Sequence, residues 1–153
     1  MNQDYKKYVW IAAGAVVLVG GFLFFSQYNK QAQTPPETKP GIIVSQPLAS
    51  EEVSFPLTIR GSITGLGGWI PFEGHAGTVQ AIDEQGPLSE VGALLVKGEW
   101  TTLPADFMGT LGSEDTISRI KADTGYLLFK NENPSGLPEN DREYRLPVKF
   151  NKE

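Results

Sequence analysis

Glu73 and His75 are the one place in the 153-residue chain where a histidine and a carboxylate stand close enough in sequence to act together. Two positions apart, they would share one face of an extended strand. The chemistry they could support is limited. A catalytic zinc takes three protein ligands, and a nucleophilic site needs an oriented base beside its nucleophile. The chain has a single histidine, so a solvated pair at a strand end is the favoured reading. A hydrolase using Glu73 with His75, or a pair of carboxylates facing across a groove, is the remaining enzymatic alternative. The pairs Asp83-Glu84 and Glu114-Asp115 offer oxygen ligands for calcium, but neither has the interleaved spacing of a calcium loop. Asp83-Glu84-Gln85-Gly86 reads instead as a hairpin turn. The chain is expected to hold no metal, no cofactor and no catalytic residue.

Two further stretches are candidates for binding. Gly65-Leu66-Gly67-Gly68 supplies the left-handed backbone freedom of a turn, and no Gly-Lys-Ser/Thr follows it as a phosphate loop requires. Beside it, Trp69 and Phe72 place two aromatic rings in or next to a loop, as core plugs or as a contact patch. The segment Asn133 to Asn140, with Pro134, Leu137 and Pro138, is either a rigid connector between strands or a presented recognition loop. Trp69, Phe72, Asn133, Pro134, Leu137 and Pro138 are therefore the candidate partner contacts.

The elements that must position these residues begin with an apolar run. Tyr8 to Phe25 contains no charged residue across eighteen positions, and at about 1.5 Å per residue it reaches roughly 27 Å, close to the hydrocarbon thickness of a bilayer. Tyr5, Tyr8 and Trp10 stand at one end and Tyr28 at the other, where amphipathic rings favour the headgroup layer. Lys6 and Lys7 favour a cytoplasmic N-terminus, a bias that Lys30 on the far side reduces. A cleaved signal peptide is the rival reading. It needs a shorter core and a small-x-small site, whereas this run ends in Phe22-Leu23-Phe24-Phe25. The expected order is a cytoplasmic 1–7, a transmembrane helix over 8–28, a linker over 29–41 and an extracytoplasmic domain over 42–151. The linker, with Pro35, Pro36 and Pro40, has almost nothing to bury. Extended at about 3.1 Å per residue, it would reach up to roughly 40 Å.

Without Met1 to Asn29 the chain keeps 17 acidic and 11 basic residues, a formal charge of −6. Nucleic acid rewards clustered Lys and Arg, so it is not an expected partner, and neither is a flat anionic lipid surface. The chain has no cysteine. Neither disulfides nor thiolate metal sites can stabilise the domain, and its apolar core must suffice.

Short branched and aromatic stretches alternate with Gly, Pro, Asn and Asp over this region, the signature of short antiparallel strands. The expected strands are Ile42 to Ser45, Leu57 to Ile63, Thr78 to Asp83, Ala93 to Lys97, Phe107 to Leu111, Tyr126 to Asn131 and Tyr144 to Phe150. Seven strands at this spacing predict an all-β domain, an immunoglobulin-like β-sandwich. Alternation in the third strand predicts that Val79 and Ala81 are buried, or the register containing Ile82 if a bulge intervenes. Pro56 and Pro147 should mark an edge, a strand start or a bulge. The stretch Asp115 to Lys121 fits a strand or a single helical turn.

Four segments in order carry a resemblance: Ile42-Ile43-Val44-Ser45-Gln46-Pro47, Val53-Ser54-Phe55-Pro56-Leu57-Thr58-Ile59-Arg60-Gly61, Phe72-Glu73-Gly74 and Leu146-Pro147-Val148-Lys149-Phe150. Together they resemble the immunoglobulin-like domain of bacterial spore germination proteins, and Asn133 to Asn140 resembles a loop of members from non-sporulating bacteria. The resemblance implies a small sandwich in the bacterial cell envelope with no known catalytic residue. It also implies a structural role for Glu73 and Gly74, the carboxylate bonding loop amides while the glycine permits the turn. This chain departs from the family's multidomain arrangement in carrying one module behind an anchor. The function expected from residues and resemblance together is a membrane-anchored, non-catalytic module for protein interaction or envelope organisation. Its partner would be an unidentified envelope protein or a cell-wall component, and the alternative is a peptidoglycan- or carbohydrate-binding module.

Overall fold

The computed structural model describes residues 41–152. The expected cytoplasmic segment, transmembrane helix and nearly all of the linker lie outside the described residues. Among those described, no helix is long and apolar enough to cross a membrane.

The region is all-β. Nine strands follow in chain order: β1 (Ile42–Gln46), β2 (Glu52–Val53), β3 (Leu57–Ile63), β4 (His75–Asp83), β5 (Gly86–Pro87), β6 (Gly92–Val96), β7 (Ala105–Leu111), β8 (Thr124–Lys130) and β9 (Glu143–Phe150). They form one curled sheet in the order β1-β3-β7-β6-β4-β8-β9-β2, with β5 added to β4. All pairings are antiparallel except that of β2 with β9, where Glu52 stands opposite Lys149 and Val53 opposite Phe150. The curl turns one face of every long strand inward. Ile59, Ile63, Val79, Ala81, Leu94, Phe107, Leu127 and Phe129 meet there, each at most 2 % exposed. Burial of apolar area at roughly 25 cal/mol per Å² is what holds a cysteine-free domain together.

Strand period explains most of the register. In β3, Leu57, Ile59 and Ile63 point inward while Arg60 is exposed, and in β9 Leu146, Val148 and Phe150 alternate with exposed Arg145, Pro147 and Lys149. Val79 and Ala81 are buried as their alternation predicts, and Asp83, in phase with them, is buried too. Pro56 stands immediately before β3. Pro147 lies where β9 pairs with β8 on one side only, ahead of the short β2 ladder. Its carbonyl accepts the Ser50 N–H at 2.7 Å. The ambiguous 115–121 stretch contains a single helical turn, α1 (Glu114–Ile117). Buried Thr116 anchors it, the Thr116 hydroxyl accepting the Ser113 N–H at 3.0 Å.

Strand direction sorts the loops into two ends. β4 begins where β8 ends, Thr78 opposite Lys130, and β9 begins there as well, Glu143 opposite Lys130. The segment before β4 and the connection from β8 to β9 therefore emerge side by side. The opposite end gathers the β4–β5 turn and the segment that follows α1.

Candidate functional site

Trp69 and Phe72, neighbours in sequence, go to opposite environments. Trp69 is 2 % exposed, and its indole N–H donates to the Ala76 carbonyl at 2.8 Å. Of its two sequence readings, the structure has the core plug. The ring belongs to the core and no partner can reach it, so it leaves the set of contact candidates. Phe72 is 39 % exposed, and Ile70 beside it is 58 % exposed.

The Gly65–Gly68 stretch is the turn the sequence suggests. It wraps a 3₁₀ turn over Leu66–Gly68, and Gly65, Gly67 and Gly68 have φ of 79°, 61° and 78°. Glu73 and His75 do not share a strand face as expected. Glu73 has φ 48° and Gly74 φ 83°, and Phe72 and His75 exchange two backbone hydrogen bonds of 2.9 Å across them. Positive φ at both central residues makes a two-residue hairpin turn of the primed type. The chain reverses between the two side chains, so β4 starts at His75 and Glu73 stands on the turn outside it. Gly74 permits the turn as expected. The Glu73 carboxylate, by contrast, accepts no hydrogen bond from loop amides among the described residues, and the turn is held by its backbone pair. A left-handed φ is costly for a glutamate, so Glu73→Asn should raise stability by about 0.5–1 kcal/mol in urea titration.

The loop Asn133 to Asn140 is cross-linked to itself. The Asn133 side-chain amide donates to the Leu137 carbonyl at 2.9 Å and to Asp141 at 2.6 Å. The Ser135 hydroxyl donates to Asn133 Oδ1 at 2.6 Å and accepts from Asn140 Nδ2 at 2.9 Å. Pro138 opens a 3₁₀ turn, Pro138–Asn140. A loop held this way can present a fixed surface.

The two candidate segments meet. Gly68 and the Ile70–Phe72 stretch line a groove together with Asn131–Ser135, Asn140 and Arg142, enclosing about 390 Å³ with a largely apolar surface. Phe72, Asn133 and Pro134 are thus brought together. Leu137 and Pro138 are exposed but outside the groove lining, and neither Glu73 nor His75 lines it. Arg142 ties the two segments: its Nε donates to the Gly67 carbonyl at 2.7 Å and its Nη1 to the carbonyls of Glu139 and Asp141 at 2.7 and 2.8 Å. Sequence reasoning missed Arg142, because the acidic neighbours Asp141 and Glu143 make it read as one of an ordinary run of surface charges.

At the other end lies a second polar feature. Asp83 is 5 % exposed, and its carboxylate accepts four backbone N–H groups. Oδ1 takes those of Gln85 and Gly86 at 2.8 and 3.2 Å, and Oδ2 those of Lys121 and Ala122 at 3.1 and 3.3 Å. Burial pushes its carboxyl up, and the four hydrogen bonds, that from Gln85 foremost, outweigh burial and hold it below the ordinary 3.8. The Asp83–Gly86 hairpin is the turn read from the sequence, and both carboxylate oxygens serve it and the 121–122 backbone. Among the described residues, no group of three or more His, Asp or Glu side chains converges to hold a metal ion.

Strand content and pairing make the described region all-β, and its surface carries a groove built from two loops at the same end. No family model, no curated protein and no solved structure matches the chain.

Proposed function

We propose that the described region is an immunoglobulin-like sandwich, held on the extracytoplasmic side of a membrane by the apolar 8–28 segment and its linker, and that it binds a protein partner without catalysing a reaction. The strand order is compatible with this architecture: β1-β3-β7 and β4-β8-β9-β2 would be the two layers of such a sandwich, with β6 hydrogen-bonded to both β7 and β4 where they join and a parallel β2–β9 pair at one edge. This is also the fold implied by the resemblance to the spore germination immunoglobulin-like domain. The observation that carries the function is the groove: Phe72 and the Asn133 to Asn140 loop, about sixty residues apart, share one concave, mainly apolar surface stiffened by Arg142. Apolar concavity with a few placed polar groups is the common form of a recognition site.

In-cell crosslinking with the full-length chain, followed by recovery of bound protein, tests this reading. Phe72→Ala together with Ile70→Ser should reduce recovery about tenfold or more while leaving the thermal unfolding midpoint within a few degrees, since both side chains are exposed. Unchanged recovery removes the groove from consideration. The carbohydrate alternative predicts co-sedimentation with purified cell wall. It is the weaker reading, because the amides of Asn131 and Asn133 are already engaged within the loop.

A further inference from the structure

Arg142 is oriented more completely than a surface arginine needs to be, and one nitrogen of its guanidinium, Nη2, is left without a partner among the described residues. Nε and Nη1 are fixed by three backbone carbonyls, and its main-chain N–H donates to Asn131 Oδ1 at 2.8 Å. Those acceptors are neutral, so they hold the plane of the group without cancelling its charge. Among the described residues no Asp or Glu pairs with Arg142, as none pairs with Arg60, Lys97, Lys121 or Lys149, but of these Arg142 is the one that lines the groove. Nη2, which carries two further donors, makes no hydrogen bond to the described residues. It lies beside Gly68, where a Cβ would come within 3.3 Å of it. The absence of a side chain at Gly68 keeps Nη2 uncovered, within a lining that also includes Ile70 and Phe72.

We infer that the groove receives the end of a peptide chain, its free C-terminal carboxylate on Arg142 Nη2 and its last apolar side chains against Ile70 and Phe72. The inference rests on the reading of this groove as the partner site and names what the partner offers to it. A guanidinium already held in place loses little freedom on meeting a carboxylate, which would take the Nη2 N–H groups alone because Nε and Nη1 are engaged. The groove, at about 390 Å³, stands near the lower end of the roughly 300–1,000 Å³ of ligand clefts, room for a few side chains and not for a long segment. Glu132 also lines it and is not paired with Arg142. That second charge favours a single carboxylate on an apolar tail over a polyanion.

The test is a titration of the ¹⁵N-labelled full-length chain with N-acetyl-Gly-Leu-Leu as the free acid and as the C-terminal amide. The free acid should shift the Arg142 Nε–H and the Gly68 and Phe72 amides saturably, and bind about tenfold tighter than the amide, equivalent to ~1.4 kcal/mol. Asparagine tolerates the left-handed φ at position 68 and would cover Nη2, so Gly68→Asn should abolish the preference for the acid while leaving the thermal melt intact. Glu132→Gln should tighten binding of the acid. Equal affinity for acid and amide, or saturation by neither, overturns the inference. If partner recovery still depends on Phe72 while acid and amide behave alike, the groove remains the partner site and the carboxylate assignment alone falls.

Discussion

Trp69→Ala should lower the unfolding free energy of the β-rich region by about 3–5 kcal/mol, as urea titration followed by far-ultraviolet circular dichroism would record. The ring is 2 % exposed, so its removal leaves a cavity that the backbone around it cannot readily fill. It also strips the Ala76 carbonyl of its 2.8 Å donor. Trp69→Phe separates the two effects: it keeps most of the apolar volume, loses the N–H, and should cost about 1–2 kcal/mol. The damage should also reach the groove, because Trp69 is the buried member of a segment whose next residues, Ile70 to Phe72, line it. A Trp69→Ala protein as stable as the parent would show that this loop is not anchored through its indole.

Asp83→Asn should cost about 2–4 kcal/mol at neutral pH and change how the region responds to acid. The four N–H groups around the carboxylate need acceptors on both oxygens, and an amide would turn a donor toward two of them. The sign of the pH effect follows from the depressed carboxyl. Its folded value lies below the ordinary 3.8, so its contribution is present above the unfolded value and is lost as pH falls through the folded one. Parent stability should therefore fall below about pH 4, and the Asp83→Asn curve should be flatter over that range. Equally steep acid limbs in the two proteins would assign the acid sensitivity to other carboxylates.

What the sequence disclosed, and what it withheld, follows the range over which each signal acts. Leu57 to Ile63 and Phe107 to Leu111 were legible because branched and aromatic side chains alternate over several residues. Glu52–Val53 and Gly86–Pro87 were not, since two residues have no period. β4 begins at His75, three residues before the expected Thr78, because Gly77 at φ 133° and a register shift between His75 and Gly77 interrupt the alternation at its start. Asp83 could have been found: it is in phase with Val79 and Ala81, and a carboxylate on a buried face must have partners. Phe72 and the 133–140 loop were each legible as candidates by composition. Their meeting was not, because it depends on β4, β8 and β9 being neighbours in the sheet, a pairing over long sequence separations. Arg142 stood furthest from view, its role resting on carbonyls of Gly67, Glu139 and Asp141 that any residue could supply.

The place where the chain joins the sheet has a mechanical meaning. The Gly41 carbonyl accepts the Thr64 N–H at 2.8 Å, and its Cα is packed so closely that a Cβ would meet the Leu66 carbonyl and the Trp69 Cβ. If the proposed tether pulls at residue 41 and the proposed partner pulls on Ile70 or Phe72, both grip the same corner of the described region. Tension between them would run through the Gly65–Trp69 turn and the first rungs of the β1–β3 ladder, and through the Arg142 bond to the Gly67 carbonyl toward the start of β9. Under force, that corner would carry the load, which gives the Trp69 indole and the Arg142 guanidinium a mechanical role beside their structural one.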